Sequence, residues 1–149
     1  MKRALMAGAN RDRAREEGEW VRVAVRASKI HGRGVFAAMD LPGRKKLGEL
    51  DGKLVALPQA RTAVESHARI YLVELDCRYA LDCSEGNCFK HLNHSCRPNC
   101  YLRIYRRRVE IYSLKAIPTG TELTLDYVIT PHKGGMVCRC GWSECKGVL

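Results

Sequence analysis

Two stretches of this 149-residue chain hold side chains whose types and spacing could do chemistry. The first is Asn93-His94-Ser95-Cys96-Arg97-Pro98-Asn99-Cys100, which packs an amide, an imidazole, a hydroxyl and two thiols against a Pro-Asn turn signal. A plain strand or helix has no use for so much polar chemistry. Its bland reading is a polar loop that satisfies its own backbone, and its Asn-His-Ser sequon matters only in an exported chain. The second is Cys138-Arg139-Cys140-Gly141-Trp142-Ser143-Glu144-Cys145, a C-x-C-x4-C arrangement whose three thiolates can wrap one face of a tetrahedral ion. A closed zinc site takes four ligands, so one must come from elsewhere. Cys77, Cys83, Cys88, Cys96 and Cys100 are the candidates, and spacing does not choose among them. The competing reading is a set of buried small hydrophobes or a local disulfide. A four-thiolate zinc carries a charge of about −2, and Arg97, Arg139 and Lys146 stand beside the proposed ligands in sequence.

The elements that must position these residues are short. Residues 1–18 are polar and charge-dense, and Arg11 to Glu17 is helix-compatible without an apolar face, so this lead-in reads as a frayed helix or disordered segment. Trp20 to Ala27 alternates as a strand, and the ordered domain is expected to begin near residue 19. Gly32-Arg33-Gly34 makes a turn into an apolar run; it is too short for a dinucleotide fingerprint and taken alone is a turn. Leu41-Pro42-Gly43 makes a second turn. Leu47 to Ala56 reads as a strand interrupted at Asp51-Gly52, and Pro58 to Arg69 as a helix on the spacing of Ala60, Val64 and Ala68. Ile70 to Leu75 and Tyr79 to Cys83 are expected strands. Tyr101 to Tyr105 and Val109 to Leu114 alternate around Arg106-Arg107-Arg108 as a hairpin does. That arginine run is most simply a solvated tip, with contact to nucleic acid or an acidic partner as the competing reading. Glu122 to Tyr127 forms a last strand, and Tyr127 alone reads as a core aromatic. Many short strands and one helix give a mainly β domain with irregular connections.

Bulk properties bound the class. The length suits one domain, hydrophobic content is 46% and charged content 28%, and no apolar run nears the roughly 20 residues of a membrane span. The first residues are too soon broken by charge to be a secretory signal, so the chain is expected not to be secreted and its eight cysteines to be reduced or metal-bound. A net charge of +10 favours nucleic acid, acidic proteins or anionic cofactors as partners.

The order GRGVFA, NHSCRPN, GTELTLDY, CRCGWSECKG resembles the SET-domain protein lysine methyltransferases with a cysteine-rich post-SET tail, over about Ser28 to Leu149. The resemblance implies small curved sheets with a threaded C-terminal segment, a SET domain over 19–130 and a zinc-bound tail over 131–149. It implies S-adenosylmethionine and zinc as cofactors and a methyl transfer to the lysine amine of a protein. Arg33, Gly34, Asn93, His94 and Leu149 match the family's cofactor pocket, with the backbone around Arg33 and Gly34 holding the methionine part and the glycine allowing close approach. Tyr127 matches the catalytic tyrosine, and Cys96 is implied as the partner of Cys138, Cys140 and Cys145. Trp142 is a weaker match for the wall that Leu149 would form.

Several positions depart from the family. Leu50 stands where many members have a tyrosine, and Leu125 where an aromatic is common; two aliphatic residues suggest a roomier lysine pocket and more than one methylation, with Tyr71 as a compensating hydroxyl. Lys90-His91 replaces an Arg-Phe pair, Thr121 a frequent Glu, and no cysteine precedes Cys77, so no cysteine-rich pre-SET module is expected and the size resembles that of bacterial members. Expected partners are a protein with an accessible lysine, a histone or other basic nucleic-acid-associated protein among them, and nucleic acid through the basic surface. A very basic enzyme would repel a basic tail unless Glu49, Asp51, Glu74 and Asp76 gathered at its groove or nucleic acid bridged the two. The location would be cytoplasmic in a bacterium and nuclear in a eukaryote. The alternative function is an inactive SET fold kept as a binding module for nucleic acid or chromatin-like complexes.

Overall fold

A computed structural model describes residues 13–16, 19–65, 67, 69–127 and 135–149. Expectations for residues 1–12 and 17–18, and for a boundary between 130 and 131, lie outside the described residues. The chain begins with β1 (Arg13–Glu16), antiparallel to β2 (Glu19–Ala27). Arg13–Glu16, within the helix-compatible segment, is therefore a strand: the segment has no apolar stripe to bury as a helix, whereas the edge of β2 offers backbone partners.

β3 (Arg33–Ala37) follows the glycine turn, then β4 (Lys46–Leu50) and β5 (Lys53–Ala56). The stretch expected as one interrupted strand divides at Asp51-Gly52 into two strands of different sheets. α1 (Leu57–Val64) has proline in its first turn and is shorter than the spacing suggests, with Leu57 and Ala60 as its buried residues and Val64 half-buried. β6 (Leu72–Glu74), β7 (Tyr79–Asp82), a 3-10 turn (Cys88–His91), β8 (Asn93–His94), β9 (Cys100–Tyr105), β10 (Arg108–Ser113) and β11 (Glu122–Leu125) complete the order. The 3-10 turn has no counterpart in the sequence expectations; Asn87 starts it by accepting the Phe89 amide at 3.2 Å.

Three small sheets result, ordered β1-β2-β3-β11-β8, β4-β10-β9 and β5-β7-β6. The β9–β10 hairpin turns on Arg106 and Arg107, whose φ values of 47° and 63° are the left-handed pair that a two-residue turn demands. Their guanidinium groups lie over the rings of Tyr105 and Tyr79. A continuous core joins the sheets through Val35, Leu47, Ile111, Ile117 and Leu123, each no more than 1% exposed. No helix among the described residues is long and apolar enough to cross a membrane.

The placement of β11 does most to position the chemically capable residues. It runs antiparallel to β3 and parallel to β8, so the last strand of the domain is inserted between two earlier ones. Asn99 fixes that insertion. Its side-chain amide donates to the Glu122 carbonyl and its carbonyl accepts the Thr124 amide, both at 2.8 Å, and its backbone carbonyl accepts from Leu114. Its side chain is buried, and its loss would orphan the Glu122 carbonyl and the Thr124 amide inside the protein. Asn99→Ala is expected to lower unfolding stability by about 2–4 kcal/mol in a denaturant titration. An unchanged midpoint would show that β11 is held some other way.

Candidate functional site

The glycine turn is where local chemistry first departs from a plain bend. Gly32 has φ +47°, and the Arg69 guanidinium lies over it, 2.8 Å from where a Cβ would stand. A Cβ on Gly34 would overlap the Glu122 carboxylate. The close approach that excludes a side chain at Gly34 is thus to Glu122 of β11, and Gly34 does not line the groove that runs past Asn93 and Tyr127. Asn93 closes the assembly: its amide nitrogen donates to the His31 carbonyl at 3.1 Å, the Arg33 carbonyl at 2.9 Å and Glu122 at 2.9 Å. Ser28 donates to the same carboxylate at 2.8 Å. Glu122 and Ser28 are therefore part of the turn's support, and neither stood out in the sequence, because only the fold brings them together.

His94 is buried and faces two ways. Its Nδ1 accepts the Tyr127 amide at 3.1 Å, which places the ring proton on Nε2, 3.4 Å from the Cys96 sulfur. Burial pushes its pKa below the ordinary value, Asp126 acting against that shift and Lys146 with it. The imidazole thus ties the backbone of Tyr127 to Cys96. The Tyr127 hydroxyl donates to the Leu92 carbonyl. Burial of that hydroxyl, then the neighbouring Tyr71 and Glu122, push its pKa up to about 12, although one side of the ring stays open to the groove.

Cys96, Cys138, Cys140 and Cys145 bring four sulfurs within 4.8 Å of one another. Cys96 lies 3.8 Å from Cys138 and 3.9 Å from Cys145, close to the roughly 3.8 Å that separates sulfurs around a tetrahedral zinc with 2.3 Å bonds. The Lys146 and Gly147 amides point at the Cys96 and Cys145 sulfurs at 3.5 and 3.3 Å. Burial, then the neighbouring thiols, push Cys138 up to about 12, whereas at Cys140 burial is outweighed by backbone hydrogen bonds and neighbouring thiols that bring it down to about 6. The cluster fits a metal ion. Of the other candidates, Cys83, Cys88 and Cys100 are buried and Cys77 is exposed. Burial pushes Cys83 and Cys100 to about 12, which keeps them inert small hydrophobes. The tail folds back on itself: Val137 bridges Val148, and the Leu149 amide donates to Met136 at 2.8 Å.

A groove of about 1260 Å³ passes along these parts. Arg33, Asn93, His94 and Leu149 line it, as do Leu50, Tyr71, Leu125, Tyr127 and Cys138. Trp142 does not. Tyr71 packs edge-on to His91, and the Lys90 ammonium stands 5.9 Å from its ring centre. Acidic residues do not gather here as a basic substrate would need. Glu74 alone of the four expected carboxylates lines the groove, and Arg61 holds it through two bonds of 2.7 Å. Glu49 is paired with Lys46 and Arg108 instead.

A model of the SET domain matches residues 32–128. The chain is 32% identical over 138 residues to the Homo sapiens protein named Histone-lysine N-methyltransferase SETD2, covering 85% of this chain and 5% of that protein. It is 30% identical over 136 residues to Histone-lysine N-methyltransferase trithorax of Drosophila melanogaster, covering 85% and 4%. It is 32% identical over 132 residues to Histone-lysine N-methyltransferase, H3 lysine-4 specific, of Schizosaccharomyces pombe, covering 82% and 14%. The chain thus spans a small fraction of the length of these relatives.

The position of the Tyr127 hydroxyl has a consequence in alkali. A phenol kept neutral by the fold contributes stability that is fully present below its unfolded value near 10 and is lost as pH rises through about 12. In an alkaline titration followed by phenolate absorbance, the tyrosine removed by Tyr127→Phe should ionise near pH 12. Ionisation of that tyrosine near pH 10 would mean that its hydroxyl is not held in this way.

Proposed function

The chain belongs to the SET-domain family, and from that premise we propose that it is a protein lysine N-methyltransferase that moves a methyl group from S-adenosylmethionine to a lysine amine of a protein. The observation that carries this reading is convergence: the Tyr127 ring, Asn93 and Leu149, from three separate parts of the chain, line one groove beside the four-thiol cluster. The groove exceeds the roughly 300–1,000 Å³ of a small-molecule pocket, which leaves room for a lysine chain beside a cofactor.

S-adenosylmethionine, when bound, supplies a methyl group made electrophilic by its sulfonium. The turn around Arg33 would hold its amino-acid end. The nitrogen of the Asn93 amide is already bonded to three protein acceptors, so its carbonyl oxygen is the atom that would receive the cofactor's ammonium. The His94 backbone and Leu149 would flank the adenine. Cys96, Cys138, Cys140 and Cys145 would hold a zinc ion, which would crosslink the tail to the segment that carries Asn93 and His94.

Tyr127 acts as an acceptor. Its proton is directed at the Leu92 carbonyl and its pKa is pushed up to about 12, so it is not a phenolate base at neutral pH. The oxygen's lone pairs remain to receive the attacking amine or the methyl C–H and to fix their line of approach. The substrate ammonium must lose its proton to solvent, which apolar neighbours such as Leu50 and Leu125, nearby cations and the sulfonium all favour by lowering its pKa. Leu50 and Leu125 leave space around the amine, and more than one methyl per lysine is expected. Histones are candidate substrates on the strength of the relatives' names.

Incubating the zinc-loaded chain with labelled cofactor and lysine-containing proteins should transfer label. Tyr127→Phe should lower kcat by about 10²–10³-fold while affinity for S-adenosylhomocysteine stays within about twofold. A fully active Tyr127→Phe would remove Tyr127 from the chemistry. Cofactor binding by the unaltered chain with transfer to no lysine would favour the inactive binding module.

A further inference from the structure

The charge of the groove has no counterpart in a basic substrate. Its described lining contains Arg33, Arg61, Arg69, Lys90 and Arg139, against Glu65, Glu74 and Asp126. All three carboxylates are engaged already. Glu74 is chelated by Arg61, Asp126 stands 3.7 Å from the His94 imidazole and 3.8 Å from the Lys146 ammonium, and Glu65 is likewise not without a partner. Among the cations the pattern is reversed. The ion pairs of the described residues leave Arg33, Arg69, Lys90 and Arg139 with no carboxylate partner. Lys90 instead donates to the Ser84 carbonyl at 2.7 Å and leans over the Tyr71 ring. A bound sulfonium cofactor adds positive charge. Cationic residues flanking the target lysine would enter this groove against its field, whereas carboxylates would meet cations that lack a counter-ion.

We infer that the groove selects lysines flanked by aspartate and glutamate, so that the substrate segment is an acidic peptide rather than a basic histone-like tail. The inference rests on the methyltransferase reading for its target residue, and on the groove's own charges for the flanks. The cations that would read those flanks are Lys90, over the Tyr71 ring, Arg69, and Arg139 on the tail, with Arg61 available only in exchange for its bonds to Glu74. Glu74, exposed at the end of β6, sets the preference from the other side: it neutralises Arg61 and repels an acidic flank.

The experiment uses the full zinc-loaded chain and three sets of peptides of equal length with one central lysine, flanked by acidic, neutral or basic residues. Methyl transfer gives kcat/KM. Fluorescence anisotropy with S-adenosylhomocysteine present gives affinity independently of turnover. Acidic flanks are expected to win over basic ones by about tenfold at low ionic strength, since each exposed charge contact contributes up to about fivefold, and salt should narrow the gap. Arg61→Glu should shrink or reverse the preference, and Glu74→Gln should widen it; the second variant serves if the first does not fold. Preference for basic flanks, no preference at low salt, or tighter binding of a DNA duplex than of any acidic peptide would each overturn the inference. Preferential methylation of basic peptides would do so while leaving the methyltransferase reading intact. Selective binding of acidic peptides with transfer to none would uphold the charge reading and remove the enzymatic one.

Discussion

The lateral insertion of β11 between β3 and β8 is the constraint on which the rest of the site depends. A short four-residue strand cannot be held by its own propensity, and here it is held by pairing on both edges and by the Asn99 side chain. One placement has three effects. Glu122 at its start meets Gly34, Asn93 and Ser28; Leu125 at its end faces the groove; and Tyr127, two residues on, receives its position from the His94 imidazole.

The same placement couples parts that are remote in the chain. Asn93 holds the glycine turn, His94 holds the Tyr127 backbone and faces Cys96, and Cys96 is the only member of the thiol cluster that the main domain contributes. The tail supplies the other three sulfurs and, at Leu149, part of the groove wall. A cation drawn to those sulfurs would therefore fasten the wall through the segment that carries Asn93 and His94, and the site's two halves would be ordered together.

Much of this was legible in residue type and order. The G-x-G turn, the octet, the last strand and the cysteine tail occupy the places that their motifs suggest, and the hairpin around Arg106 and Arg107 reflects strict alternation on either side. Spacing could not choose Cys96 over Cys83, Cys88 or Cys100, because burial separates them and burial is a property of the fold. Nor could local sequence show that the group pressed against Gly34 is the Glu122 carboxylate, 88 residues away in sequence. Arg13–Glu16 reads locally as helix and pairs as strand because an open β2 edge outweighs weak helical preference. Charge was the least legible property, since carboxylates counted along the chain do not say which of them face the groove: Glu49 is neutralised elsewhere and Glu74 is held by Arg61.

The coupling between the thiol cluster and the cofactor end of the groove is tested most directly by one calorimetric comparison. Affinity for S-adenosylhomocysteine is measured on the zinc-loaded chain, on the same chain after chelation, and on Cys96→Ser. The expected result is a loss of about 5–150-fold in affinity on chelation, matched by Cys96→Ser with or without added zinc. Equal affinity in all three samples would contradict it, because the tail and the cofactor-facing residues would then be ordered independently.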